Sequence, residues 1–136
     1  MSQNAQPSDF HGRPLAPCLD PAIIEQLVDL DDGGTGLITE LFGLFQEDTP
    51  DRLAKLAVHL EAGEAGPASE LAHALKGSAG TMGAVKLREI AQEIEKATRS
   101  GRVDPPIVAL MPSLNEAYQE VCQAFGAFLE AQPGPT

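Results

Sequence analysis

The sequence predicts an all-α fold: an antiparallel up-down-up-down four-helix bundle with a short N-terminal capping helix. Three observations point there. Apolar residues recur at helical spacing through four long segments joined by short turns. Alanine and leucine are plentiful, aromatics make up 4% of the 136 residues, and β-branched runs are missing, which favours helix over sheet. No segment alternates apolar and polar residues between hairpin turns. A chain of this length buries enough surface for one stable domain without staples.

Residues 1–18 are polar and carry Pro7, Pro14 and Pro17, which predicts a disordered N-terminal extension. The bundle domain is expected over 19–131, with a flexible tail over 132–136. Asp20-Pro21 starts the capping helix, as an Asp cap followed by proline at the first helical position. Ile23, Ile24, Leu27 and Leu30 are its apolar face, and Asp31-Asp32-Gly33-Gly34 ends it without the alternating oxygen ligands of a calcium loop. A long segment follows from Gly36 to Leu60. Ile38, Leu41, Phe42 and Phe45 form the first half of its buried stripe, and Leu53, Leu56, Ala57 and Leu60 the second. Pro50 predicts a kink there, or a restart with Thr49 as the cap.

Glu61 to Gly66 reads as a turn, Pro67 as the opening of the next helix, and Gly83 as its end. Leu87, Ile90, Ala91 and Ile94 define another amphipathic helix, closed by Ser100-Gly101. Asp104-Pro105-Pro106 starts the last one. Its stripe is Ile107, Leu110 or Met111, Leu114, Ala117, Tyr118, Val121, Phe125 and Phe128, and Pro112 is expected to bend its first turns.

Composition excludes several function classes. The net charge of −11 argues against nucleic acid, which wants clustered Lys and Arg. No apolar stretch approaches the ~20 residues of a membrane helix, and the N-terminus lacks the apolar stretch of a secretory signal. The expected compartment is the cytoplasm. Cys18 and Cys122 are too few for a disulfide framework or a metal site. His11, His59 and His73 lack ligand spacing, so no metal is expected. Neither a phosphate-binding loop of the Gly-x-x-x-x-Gly-Lys-Ser/Thr type nor a dinucleotide fingerprint is present.

The run from Ala72 to Ala84 (AHALKGSAGTMGA) is the most informative stretch. Wound at about 100° per residue, it places Leu71, Leu75 and Met82 on one line, with Ala68 and Ala79 beside it. His73 falls on the opposite side, flanked by Ser69, Lys76, Gly77 and Gly80. An imidazole thus faces water among the smallest side chains. Each helical glycine costs roughly 1 kcal/mol relative to alanine, so close approach of a second molecule explains two of them together. Lys76 lies about one turn from His73, within reach of an anion held on the imidazole. Nucleophile, cation and cleared surface together describe a phosphoryl-acceptor site. Ser78 falls toward the core stripe and has no base near it in sequence, so it is a poor nucleophile candidate. Basic residues also concentrate here: Lys76, Lys86, Arg88, Lys96, Arg99 and Arg102 suit an acidic partner, though the same pattern fits an ordinary solvated face.

The segment resembles the histidine phosphotransfer (HPt) family of two-component phosphorelays, whose signature is close to His-x-Leu-Lys-Gly-[Ser/Ala]-[Ser/Ala]-x-x-[apolar]-Gly-Ala. His73, Leu75, Lys76, Gly77, Ser78, Ala79, Met82, Gly83 and Ala84 stand at the matching places. Gly80 departs mildly, since that position more usually carries a side chain. The likeness runs over roughly 19–131, including Leu19-Asp20-Pro21 and Leu41-Phe42-Gly43-Leu44-Phe45. It implies a phosphoryl carrier without its own ATP site, with His73 as phosphoacceptor and Lys76 offsetting phosphoryl charge. Ser69, Gly77 and Gly80 would meet the partner. The implied partners are response-regulator receiver domains, which bring the Mg²⁺, and a hybrid sensor histidine kinase. The chain is expected to need no cofactor of its own and to be a monomer. Its Met1 start and polar tails favour a free-standing carrier.

Two other classes compete. A phosphate-independent helical adaptor or inhibitor of a kinase or receiver would share the bundle. A di-metal carboxylate enzyme would need inward Glu-x-x-His pairs, and Glu70-Leu71-Ala72-His73 supplies one, facing outward.

Overall fold

The computed structural model describes residues 9–10 and 13–131. Six helices follow one another: α1 (Pro21–Leu30), α2 (Gly36–Glu61), α3 (Ala65–Met82), α4 (Val85–Arg99), α5 (Pro105–Val108) and α6 (Met111–Glu130). Helices α2, α3, α4 and α6 form the expected bundle. α3 packs most extensively on α4 and next on α2, and α6 closes the ring against α4 and α2. The short turns make consecutive helices antiparallel neighbours. α1 lies across α2 and α3 as the cap.

Local chemistry sets most boundaries. The Asp20 carboxylate accepts a hydrogen bond from the Ala22 N–H at 2.9 Å, and Pro21 opens α1. The Asp31 carboxylate accepts from the Leu37 N–H at 3.0 Å, which satisfies an otherwise orphan donor at the start of α2. α2 runs through Pro50 as one helix, so the sequence alternative of a restart capped by Thr49 does not occur. Thr49 is fully buried, and its hydroxyl has no partner among the described residues. Buried Phe42 and Phe45 before the proline and Leu53, Leu56 and Leu60 after it hold the two halves on one core.

Two boundaries differ from expectation. α3 begins at Ala65, so Pro67 sits within its first turn rather than opening it. The last helix is two: α5 stops at Val108 and α6 starts at Met111, with Pro112 in its first turn. Pro112 has no N–H for the carbonyl four residues back, so the break falls there instead of becoming a bend.

Within the stretch expected to be a disordered extension, residues 9–10 and 13–18 belong to the described structure. Asp9–Phe10 pairs antiparallel with Arg13–Pro14, and Leu15 and Leu19 are 1% and 2% exposed within the core. An apolar residue every fourth position suffices to dock a segment that polarity and prolines assign to solvent. Residues 1–8 and 11–12, and the expected tail 132–136, lie outside the described residues.

The core is mostly aliphatic, with Phe42 stacked on Phe125 at 5.1 Å between ring centroids and Phe45 tilted against Tyr118 at 5.5 Å. One corner ties the cap to the bundle. Gly83 ends α3 with φ of 70°, and its carbonyl accepts from the Asp20 N–H at 2.7 Å. The Val85 N–H donates to the Cys18 carbonyl at 3.1 Å. A Cβ on Gly83 would stand 3.0 Å from Ile23 Cβ, so both conformation and space require glycine. Gly83→Ala should therefore lower stability by about 2 kcal/mol, from the left-handed penalty plus displacement of α1. Chemical denaturation reads this directly, and a loss below about 0.5 kcal/mol would contradict it.

Candidate functional site

The site spans the α3–α4 seam. Ala68, Ala72, Leu75, Ala79 and Met82 are the buried face of α3, which turns His73 outward. Ala72, adjacent to His73 in the chain, is fully buried. The His73 side chain is 66% exposed. Its Nδ1 lies 2.7 Å from Oε2 of Glu95 on α4, whose side chain is 3% exposed. Lys76 Nζ lies 2.6 Å from the other oxygen, Oε1. Arg99, one turn beyond Glu95 on α4, brings Nη2 to Oε2. One buried carboxylate thus gathers the imidazole, an ammonium and a guanidinium.

Those contacts keep Glu95 ionised. Hydrogen bonding from Lys76 holds its carboxyl below the ordinary value of 4.5, helped by the bond to His73 and the charge of Arg99, against the opposing effect of burial. An ionised carboxylate only accepts, so the Nδ1 facing it carries the proton. In a neutral ring Nε2 is then the bare nitrogen. The exposed imidazole presents a lone pair outward, and its orientation is set from within.

Each residue singled out from the sequence has a distinct place. Lys76 is half-buried and bound to Glu95, not free in solvent. Gly77 is exposed, and a Cβ there would meet nothing within 4 Å. The fold therefore does not demand glycine at 77, and the surface beside His73 is open. Gly80 is otherwise: Arg88 lies over it, and a Cβ added to the glycine would stand 3.5 Å from Nε, so it seats an arginine rather than a clearing. Ser69 is half-buried one turn before His73. The Ser78 hydroxyl accepts from Arg52 Nη1 of α2 at 3.2 Å, so it lies at a helix seam rather than in the core.

Sequence reasoning misses Glu95 and the role of Arg99. A signal is nonetheless present: Glu95 falls within the stripe of Leu87, Ala91, Ile94 and Thr98, where a carboxylate breaks the apolar pattern, with Arg99 four residues on. Among the described residues, no three or more His, Cys, Asp or Glu side chains group to hold a metal. Nor is any helix there long and apolar enough to cross a membrane.

The Hpt domain family model matches residues 40–124, which contain His73, Lys76, Glu95 and Arg99 and make up more than half the chain. Among solved structures, histidine-containing phosphotransfer protein B (HptB) from Pseudomonas aeruginosa PAO1 is similar, with a TM-score of 0.72 and 29% identity over 82% of this chain and 93% of that one. No curated protein matches. Fold and matches define the class as a phosphotransfer bundle of phosphorelays. The chain belongs to the Hpt domain family.

Proposed function

We propose that His73 accepts a phosphoryl group from a receiver-domain aspartate and passes it to a second receiver. The observation that carries this is the 2.7 Å contact of Nδ1 with buried Glu95 on an otherwise exposed ring. The Nε2 lone pair attacks phosphorus in line, the P–Nε2 bond forms, and the P–O bond to the receiver aspartate breaks with its electron pair leaving on the carboxylate. The ring gains positive charge during this step. Glu95 faces that charge through the Nδ1–H, which stabilises it and keeps the imidazole a good leaving group for the return step. Lys76 keeps Glu95 in place and adds positive potential near the phosphoryl oxygens. Gly77 and Ser69, each one turn from His73 on opposite sides, leave the receiver's loops room to approach.

In this reading the chain is a phosphoryl carrier and docking module without its own ATP site or cofactor. It acts as a cytoplasmic monomer between a hybrid sensor histidine kinase and receiver domains, and the receiver brings Mg²⁺ and its own lysine. The exposed cations of α4, Lys86, Arg88, Lys96 and Arg99, favour an acidic receiver pocket within an otherwise acidic chain. The test is incubation with a panel of phosphorylated receivers. At least one should transfer its label, giving an acid-labile and alkali-stable adduct. Failure with every receiver, or an acid-stable adduct, would reject the carrier role.

A further inference from the structure

Two cations meet one carboxylate at this site, and their situations differ. Lys76 is 27% exposed and bound to Oε1, whereas Arg99 is 66% exposed and shares Oε2 with His73 Nδ1. Two groups on one oxygen lie within two hydrogen-bond lengths of each other, about 6 Å at most. The guanidinium is therefore a neighbour of the imidazole on the solvent side. Lys76 alone leaves Glu95 paired, so Arg99 can depart without stranding a buried charge. The charges of Glu95, Lys76 and Arg99 sum to a surplus of one positive. A phosphoryl group brings close to two negative charges near neutral pH, and the planar fork of arginine matches its oxygens. Other nearby cations are worse placed: Arg88 lies over Gly80, and Arg102 is paired with Asp104 at 3.1 Å.

We propose that Arg99 is a mobile phosphoryl clamp, which rests on Glu95 in the free protein and turns onto the phosphoryl group once His73 carries it, while Lys76 stays on Glu95. The inference rests on His73 being the phosphoacceptor. It gives the site two separate cationic roles, one that holds the ring's anchor and one that follows the phosphate.

Phosphoramidate tests it without any partner. Its P–N bond breaks, ammonia leaves with the electron pair and a proton, and the P–Nε2 bond forms. The full chain, Arg99→Gln, Arg99→Lys and His73→Gln are treated alike and followed by ³¹P and ¹H–¹⁵N NMR. In the parent protein the Arg99 Nε–H resonance should move on phosphorylation. Arg99→Gln should raise the second ionisation of the phosphoryl group by about half a pH unit, and Arg99→Lys by less. A role confined to holding Glu95 would leave that ionisation in place. An unmoved Arg99 resonance, or a phosphoryl titration in Arg99→Gln equal to the parent's, overturns the clamp. A set of phosphohistidine resonances in His73→Gln identical to the parent's, so that all of them come from His11 or His59, instead overturns the acceptor reading, and the clamp with it.

Discussion

Replacing His73 with glutamine should abolish phosphoryl transfer from every receiver that labels the parent chain, by at least about 10³-fold. The fold should survive. The side chain is two-thirds exposed, and Glu95 keeps Lys76 and Arg99 as partners when the imidazole is lost. Stability should change by no more than about 1 kcal/mol. The comparison separates a carrier from an adaptor: an adaptor or inhibitor would keep its effect on the kinase or receiver in a folded His73→Gln protein. Label transfer and a melting curve on the same sample decide it.

Glu95→Gln should slow phosphorylation of His73 on the order of 10-fold to 100-fold. An amide presents either its oxygen or its NH₂ to Nδ1, so it no longer enforces one tautomer. It also cannot oppose the positive charge that develops on the ring. An unchanged rate would show that Nδ1 anchoring is irrelevant to reactivity. The same variant alters acid stability with a defined sign. The folded carboxyl is depressed, so it contributes stability that is present above its unfolded value near 4.5. That contribution is lost as pH falls through the lower folded value. The parent chain should thus lose more stability than Glu95→Gln when acidified from pH 5 toward about pH 3. Parallel curves for the two would contradict the buried ionic cluster.

Helix identity is legible because the apolar residues recur at one period throughout, and the positions of α1 and the end of α3 follow from Asp20-Pro21 and Gly83. Residues whose effect depends on tertiary support are less so. Pro50 looks like a break in one dimension, yet core contacts on both sides carry α2 through it. Pro112 looks like a bend, yet the chain breaks just before it, because its missing N–H leaves the carbonyl four residues back without a helical partner. Leu15 sits in a polar, proline-bearing stretch, and only the packed bundle shows where its side chain goes.

At the site, His73, Lys76 and Gly77 are visible as neighbours on one helix. Spacing along a single helix puts residues three and four apart together, which places Lys76 near His73 but says nothing of the carboxylate it binds. Glu95 lies 22 positions beyond His73, and only the packing of α4 on α3 brings it under the ring. Its sole trace is a carboxylate in an apolar stripe.

The division of this centre between two helices has a consequence for any minimal version of the protein. A peptide copying residues 65–84 would hold the whole diagnostic motif and still lack an oriented ring, because the counter-charge belongs to another stretch of chain. On the proposed role of His73, chemical competence would be a property of the assembled pair. Separation of these two helices, even for a moment, returns the imidazole to the behaviour of any free histidine.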